Sequence, residues 1–285
     1  MSAGGLSRLR AVWRTTVACY DRFEAHDGTA MAGYIAFSAF LSIFPFAIFF
    51  SALAGILVGP EDSRLIFDTL VDLAPEHITK TLMPVLYEVI GQSRGGVLTF
   101  AGLGAIWVAS NAAEAVRVAF DRAYDVKKAR HFIYRRGVAI AFVFVAFIVF
   151  TILGFLVIFA PLALNLARDL IGFEPPIGAG ALRYALAVLT FTVFLLLLNR
   201  LLPSQAPKVR QLLPGIAVTT LLWLAGASLF SVYLAFAPSY TVTYGAFAGV
   251  IVTLLFFYLT GAVVIFGAEV NATLVALRHE KMELE

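Results

Sequence analysis

The sequence predicts an all-α, polytopic membrane protein: a bundle of six transmembrane helices with both termini in the cytoplasm and amphipathic helices in its first outer loop. Three observations predict it. Of 285 residues, 61% are hydrophobic and 14% are charged, where a water-soluble domain has about a quarter of its residues charged. Residues 28–60, 95–113, 137–167, 184–199, 211–268 and 270–277 contain no Asp, Glu, Lys or Arg, and a helix needs about 20 apolar residues to cross the hydrocarbon. The basic residues gather in alternate connections. The single cysteine, Cys19, cannot form a bridge within the chain, so a disulfide framework is excluded and the redox compartment stays open.

Residues 1–29 form a cytoplasmic amphipathic arm. Leu6, Leu9, Val12, Trp13, Thr16, Val17, Tyr20 and Phe23 recur at helical spacing with arginines mainly on the other side. This suits a helix lying in the membrane interface; a packing arm is the other reading. The first apolar run is too long for a cleavable signal, so it is expected to be an uncleaved anchor. The membrane domain spans residues 30–276, with helices near 30–58, 96–116, 137–163, 182–202, 212–236 and 245–276. The last two are separated at Pro238–Tyr244, a polar, proline-marked turn. Residues 60–95 form the outer loop. Ile66, Leu70 and Leu73 make one apolar stripe, and Ile78, Leu82, Val85, Leu86, Val89 and Ile90 make another, bent by Pro84. These are read as two short amphipathic helices, acting as a structural cap or as a moving lid or partner surface. Residues 277–285 are a cytoplasmic tail.

Orientation follows from the 21 Lys and Arg residues, because cytoplasmic connections retain positive charge. One side receives Arg8, Arg10, Arg14 and Arg22 from the arm, the cluster Arg117–Arg136, then Arg200, Lys208, Arg210, Arg278 and Lys281. The other receives only Arg64, Lys80, Arg94, Arg168 and Arg183.

A charge at the bilayer centre is expensive, so an intramembrane ionisable group is a functional clue. The central thirds of the six spans have none, which argues against a voltage sensor and against carboxylates strung across the bilayer as a proton relay. The candidates lie nearer the cytoplasmic ends. Asn111 and Glu114 fall roughly 22–27 Å from the outer end of the second span, and Glu269 and Asn271 roughly 36–39 Å along the sixth; Asn199 ends the fourth. These five form a candidate polar cluster in the inner leaflet, either for structural hydrogen bonding or as a site for a polar headgroup or ion. Arg117, three residues from Glu114, and Arg200, next to Asn199, offer internal pairing that reduces the cost of burial. Gly245, Gly249 and Thr253 make a small-residue ridge for helix packing. Pro45 and Pro161 remove backbone donors and are expected to kink their helices, as geometry or as a hinge. Three spans in each half, entering from opposite sides, match an inverted repeat in arrangement but not in residues.

Enzyme chemistry lacks its parts. His26, His77, His131 and His279 are scattered, with no HExxH and no zinc spacing. There is no GxxxxGK[ST] phosphate cradle and no GxSxG elbow. No catalytic, cofactor or metal residues are therefore assigned. The basic stretch 117–136 is explained by topology rather than nucleic acid, and is suited to anionic lipid headgroups.

Ala32-Gly33-Tyr34-Ile35-Ala36-Phe37-Ser38 with Leu41-Ser42-Ile43-Phe44-Pro45 resembles the first helix of the YihY/BrkB family of bacterial inner-membrane proteins. Trp107-Val108-Ala109-Ser110-Asn111 running into Phe120-Asp121-Arg122-Ala123-Tyr124 resembles it as well. So do Leu201-Leu202-Pro203, Leu213-Pro214-Gly215, Tyr240–Ala246 and Gly267-Ala268-Glu269-Val270-Asn271-Ala272. Their succession along nearly the whole chain is the specific signal. The resemblance implies a six-helix inner-membrane protein of a family labelled virulence factors or transporters, with Tyr34, Pro45, Asn111, Tyr244, Glu269 and Asn271 in its recurring pattern and no catalytic role assigned to them. The family's ribonuclease BN label is not carried over, because the chain lacks a nuclease constellation. The expected function is a non-ATP-driven translocator or envelope factor for a lipid-like or amphiphilic anion. A scaffold binding an envelope partner through the outer loop, and more distantly a membrane hydrolase using Glu114 or Glu269, are the rivals. Substrate, energy source and oligomeric state are not legible in the sequence.

Overall fold

A computed structural model describes residues 3–58, 95–161, 163–164, 168, 178–235 and 247–283. Among these residues every regular element is a helix: α1 (Ala3–Ala25), α2 (Gly28–Val58), α3 (Gly95–Ala123), α4 (Phe132–Gly154), α5 (Ala179–Leu201), α6 (Val209–Ala235) and α7 (Phe247–Glu283). A π-helical turn, Phe155–Phe159, continues α4. Among the described residues four stretches are long and apolar enough to cross a bilayer: Phe132–Val157, Ala179–Leu201, Val209–Leu234 and Phe247–Arg278; Gly28–Ile43 is a shorter apolar helix. Of the expected outer loop 60–95, residues 60–94 with their amphipathic pattern lie outside the described residues, as do the turn 238–244 and Gly245.

The spans expose their apolar side chains. Leu229 is 71% exposed and Leu221 67%, with Phe150, Leu182 and Leu189 also open. Water would drive such surfaces to associate; hydrocarbon solvates them at no cost, which is why helices with so few inward residues hold their place.

Two elements outrun their expected ends. The second span was expected to stop near residue 116, yet α3 runs to Ala123; no Gly or Pro interrupts Ala115–Ala123, and Arg117 pairs with Asp121 one turn on. Likewise α7 absorbs most of the expected tail, reaching Glu283, since Ala276, Leu277, Arg278, Glu280 and Lys281 are good helix formers. At 37 residues it is roughly 55 Å long, well beyond a hydrocarbon core of about 30 Å. Pro45 lies within a continuous α2. Ahead of Pro161 the hydrogen bonds widen, with Ala160 N donating to Phe155 O; proline removes a donor and crowds the preceding turn, and a π turn is one way a helix absorbs this.

The chain forms two compact units: Met1–Gly28 with Arg117–Ala225 and Val263–Glu285, and Thr29–Val116 with Gly226–Ala262. In the second unit, Ser42 Oγ donates to Ser38 O at 2.7 Å and reaches Val108 O at 3.2 Å. There too, Gly261 lets α7 approach Ala32 of α2. In the first unit, Phe142 and Phe150 of α4 pack on Phe194 of α5, and Phe191 stacks on Trp223 of α6 at 4.7 Å.

In the first unit α6 and α7 also approach closely. A Cβ on Gly215 would run into Gly267 O and sit 2.5 Å from Asn271 Oδ1, while one on Gly267 would collide with the Thr219 hydroxyl. Gly215 and Thr219, four apart on α6, thus face Gly267 and Asn271, four apart on α7. The sequence had pointed to Gly245, Gly249 and Thr253. Of these Gly249 accepts a 2.7 Å hydrogen bond from Thr253 Oγ1 on its own helix, so that hydroxyl is used within α7.

Candidate functional site

Helix ends build the site. α1 stops at a turn in which Asp27 N donates to Glu24 O, with Asp27 in the left-handed region at φ 56. α3 stops in the same manner: Val126 N donates to Asp121 O, Asp125 N to Arg122 O, and Asp125 has φ 52. These are Schellman-type ends with Asp where Gly is usual, and a non-glycine residue there costs about 1 kcal/mol or more. The carboxylates explain why Asp stands there. Arg22 of α1 pairs with Asp125 after α3 at 2.6 Å, and Arg122 of α3 pairs with Asp27 after α1 at 2.8 Å. The two helix ends exchange ion pairs.

Between them lies Glu269, whose side chain is 0% exposed. His26 Nδ1 shares a 2.6 Å hydrogen bond with Glu269 Oε1, and Arg22 Nε donates to Oε2 at 3.2 Å. Arg22 Nη2 also donates to Ala123 O at 3.0 Å. The other ring nitrogen of His26 lies 3.3 Å from Asp125 Oδ1, on a side chain 60% exposed. A single imidazole therefore bridges a buried carboxylate and a solvated one. Burial works against the Arg22 charge, but hydrogen bonding and attraction from Asp125, then from Glu269, outweigh it and raise its pKa further.

Neighbouring groups extend this polar node. Tyr124 Oη donates to Asn199 Oδ1 at 2.8 Å, and Asn199 Nδ2 returns to Leu195 O of its own helix at 2.9 Å. Burial raises the Tyr124 pKa well above 10, against the lowering influence of the nearby Asn271 amide. Asn271 Oδ1 accepts from Gly215 N at 2.7 Å; its Nδ2 is buried without a fully formed hydrogen bond, though close enough to Tyr124 to act on its hydroxyl. Beyond them Asp121 accepts from Ser204 N and Oγ at 2.6 and 2.8 Å and pairs with Arg117. Beneath the node, Cys19 is buried against Thr273, and burial raises its thiol pKa. Phe23 packs on Phe266 and over Gly28, where a Cβ would come within 2.5 Å of its ring. A cavity of about 320 Å³ adjoins the node, bounded by Arg22, Tyr124, Asp125, Gln205, Ala272 and Val275.

Of the residues singled out in the sequence, Asn199, Glu269 and Asn271 meet in this first unit. Asn111 and Glu114 belong to the second and are half-buried there. The expected partner of Asn199 was Arg200; instead Arg200 donates to Ala206 O and Pro207 O, and Asn199 bonds Tyr124. Sequence reasoning missed Arg22, His26, Tyr124 and Asp125. One signal was available: Asp21-Arg22 before Asp27 is echoed by Asp121-Arg122 before Asp125. Among the described residues no group of three or more His, Cys, Asp or Glu is arranged to hold a metal ion. The arrangement can lock helix ends together by charge, and can hand a proton from water at Asp125 through His26 to Glu269.

A profile of the family described as virulence factor BrkB matches residues 19–284. The chain is similar to the ribonuclease-like protein YfkH of Bacillus subtilis, with 30% identity over 269 residues covering 93% of this chain and 95% of that protein. It is 28% identical over 272 residues to a UPF0761 membrane protein of Coxiella burnetii, covering 92% and 93% respectively. With a UPF0761 membrane protein of Aeromonas salmonicida it shares 26% identity over 271 residues, covering 90% and 87%. No solved structure gives a significant match.

Proposed function

This chain belongs to the virulence factor BrkB family of membrane proteins, and from that premise we propose that it moves a lipid-like or amphiphilic anion across or along the bacterial inner membrane without hydrolysing ATP. In this reading α2 to α7 are its six spans and both termini are cytoplasmic. The ends of α1, α3, α5 and α7 and the starts of α4 and α6 then share the cytoplasmic side. Their mutual bonds support that placement: Arg22 to Asp125 and Glu269, Tyr124 to Asn199, and Arg130 Nε to Ser204 O at 3.0 Å. The protein acts without catalysis, and the ribonuclease-like label stays with the relative that carries it.

The observation that carries the proposal is Glu269, a wholly buried carboxylate on an apolar helix, tied to the arm and to α3 beside a cavity. Removing such a charge from water costs several kcal/mol even when it is paired. A passive scaffold has no need of it. A translocator uses it as a latch that opens when the ion pairs exchange or when Glu269 takes a proton by way of His26.

The test is reconstitution into vesicles containing a fluorescent phosphatidylglycerol, with quencher added outside. Wild-type protein should accelerate exchange between leaflets relative to protein-free vesicles. Glu269→Gln and Arg22→Gln, shown to be folded, should each change that rate at least tenfold. Exchange no faster than in empty vesicles ends the translocator reading.

A further inference from the structure

A second cavity, of about 400 Å³, lies at one end of the α4/α5 pair and shares no lining residue with the cavity beside Glu269. Its rim carries Arg130, Tyr134 and Arg200, and its wall carries Val138, Ala141, Phe142 and Val145. The size suits a small-molecule or headgroup site. The order of the residues matters more. Tyr134, Val138, Ala141, Phe142 and Val145 recur at three- and four-residue spacing, so they form one stripe along α4. From Val138 to Val145 this stripe runs roughly 10 Å down the helix axis, away from the guanidinium end. Ala141 is exposed, so the groove opens sideways, where the bilayer lies.

Among the described residues the two rim charges have no acidic partner. Arg130 donates Nε to Ser204 O at 3.0 Å and stacks over the Tyr134 ring at 5.1 Å. Arg200 donates Nη1 to Ala206 O at 3.2 Å and Pro207 O at 3.3 Å. Among the described residues neither is within ion-pair distance of a carboxylate. Nearby Arg117, by contrast, is neutralised by Asp121, and Arg22 and Arg122 are neutralised by Asp125 and Asp27. Carbonyl bonds fix the two guanidiniums in place and leave their charge unbalanced. Such a pair favours a phosphate, whose oxygens accept two planar donors at once, and an apolar stripe leading away from it favours an acyl chain.

We propose that this groove is a binding site for the phosphate headgroup of an anionic amphiphile, with Arg130 and Arg200 holding the phosphate and the α4 stripe holding the first part of the chain. It is a different site from the Glu269 node. It names the chemistry a translocator of amphiphilic anions would select, yet it stands without translocation, since its test reads binding alone.

The full-length protein in detergent is titrated with phosphatidylglycerol, phosphatidylcholine and inorganic phosphate, and bound species are counted by native mass spectrometry. Wild type should retain phosphatidylglycerol at least tenfold more tightly than phosphatidylcholine. The combined Arg130→Gln, Arg200→Gln variant should lose that preference, and Lys127→Gln, Lys128→Gln, which alters exposed charges of the same connection outside the groove, should keep it. If the double variant does not fold, Arg200→Gln alone, whose bonds go only to the exposed connection after α5, should still weaken retention severalfold. Ala141→Trp fills the groove without touching charge. Loss of phosphatidylglycerol in Ala141→Trp, with no competition from millimolar phosphate, supports a lipid headgroup. Full competition by phosphate, with Ala141→Trp unaffected, overturns the chain site and assigns the arginines to a soluble phosphate. Equal retention of both lipids, or unchanged preference in the arginine variants, overturns the proposal. A protein that binds but fails in the vesicle assay refutes translocation and leaves this site standing.

Discussion

Glu269 and Asp125 both pair with Arg22 and His26, but they stand in different solvents, and that difference sets what each is worth. Asp125 is largely exposed, so its ion pairs are screened and contribute about 0.5–1 kcal/mol. Glu269 is wholly buried; deleting it leaves the Arg22 guanidinium and the His26 ring without the buried carboxylate they share, at a cost of about 3 kcal/mol. Thermal unfolding in detergent should therefore show a much larger loss for Glu269→Ala than for Asp125→Asn, and equal losses would refute the burial argument. Tyr124 supplies a pH dependence. Burial lifts its pKa above the ordinary 10, so its contribution is intact below pH 10 and is lost as the pH climbs beyond, when the unfolded chain ionises first. Tyr124→Phe should cost about 1 kcal/mol near neutrality through the bond to Asn199. It should also flatten the alkaline fall in stability, as a denaturation series from pH 8 to 11 will report. Cys19, the one cysteine, is buried with a raised pKa, so maleimide should label it slowly until the protein is unfolded.

Helices in lipid gain little from burying apolar surface, because oil surrounds them already, so their association depends on close packing and polar bonds. The α6/α7 crossing shows this physics at the scale of an element. Gly215 and Gly267 bring backbones together, and the Gly215 N to Asn271 Oδ1 bond uses that closeness. Gly267→Ala must push the helices apart, at a cost of about 2–3 kcal/mol. Gly226→Ala, in the same α6 where a Cβ meets nothing within 4 Å, should be neutral or stabilising by up to about 1 kcal/mol. Comparing their unfolding midpoints separates packing from helix propensity. The sequence showed small residues at spacing four in both helices, but spacing alone did not tell which ridge would meet a partner. Gly226 and Gly267 look alike in one dimension and differ in what faces them.

For the molecule as a whole, the testable statement is topology. Lys128→Cys in a Cys19→Ser background should be labelled by a membrane-impermeant maleimide only in inverted vesicles. A tag after Glu285 should resist protease added to intact cells. Labelling of Lys128→Cys from outside intact cells would invert the orientation proposed above.

Local composition determined most of the architecture. Lipid-facing helices must be apolar and must satisfy their own backbone, so the apolar helices could be read from uncharged runs, and the six expected starts lie within five residues of the described starts of α2 to α7. Helix ends were harder to place, as α3 and α7 show, because an apolar run marks where the oil stops and not where the helix does. Glu269, Asn271 and Asn199 were legible because polar groups in such helices stand out. Their partners were not. Arg22, His26 and Asp125 sit in ordinary polar segments, where one more charge carries no signal, and the Arg22 to Glu269 contact joins residues 247 positions apart. Only the folded chain decided which of many surface charges would meet the buried carboxylate of Glu269, since that choice depends on burial, and burial is a property of the packed ends of α1, α3 and α7 taken together.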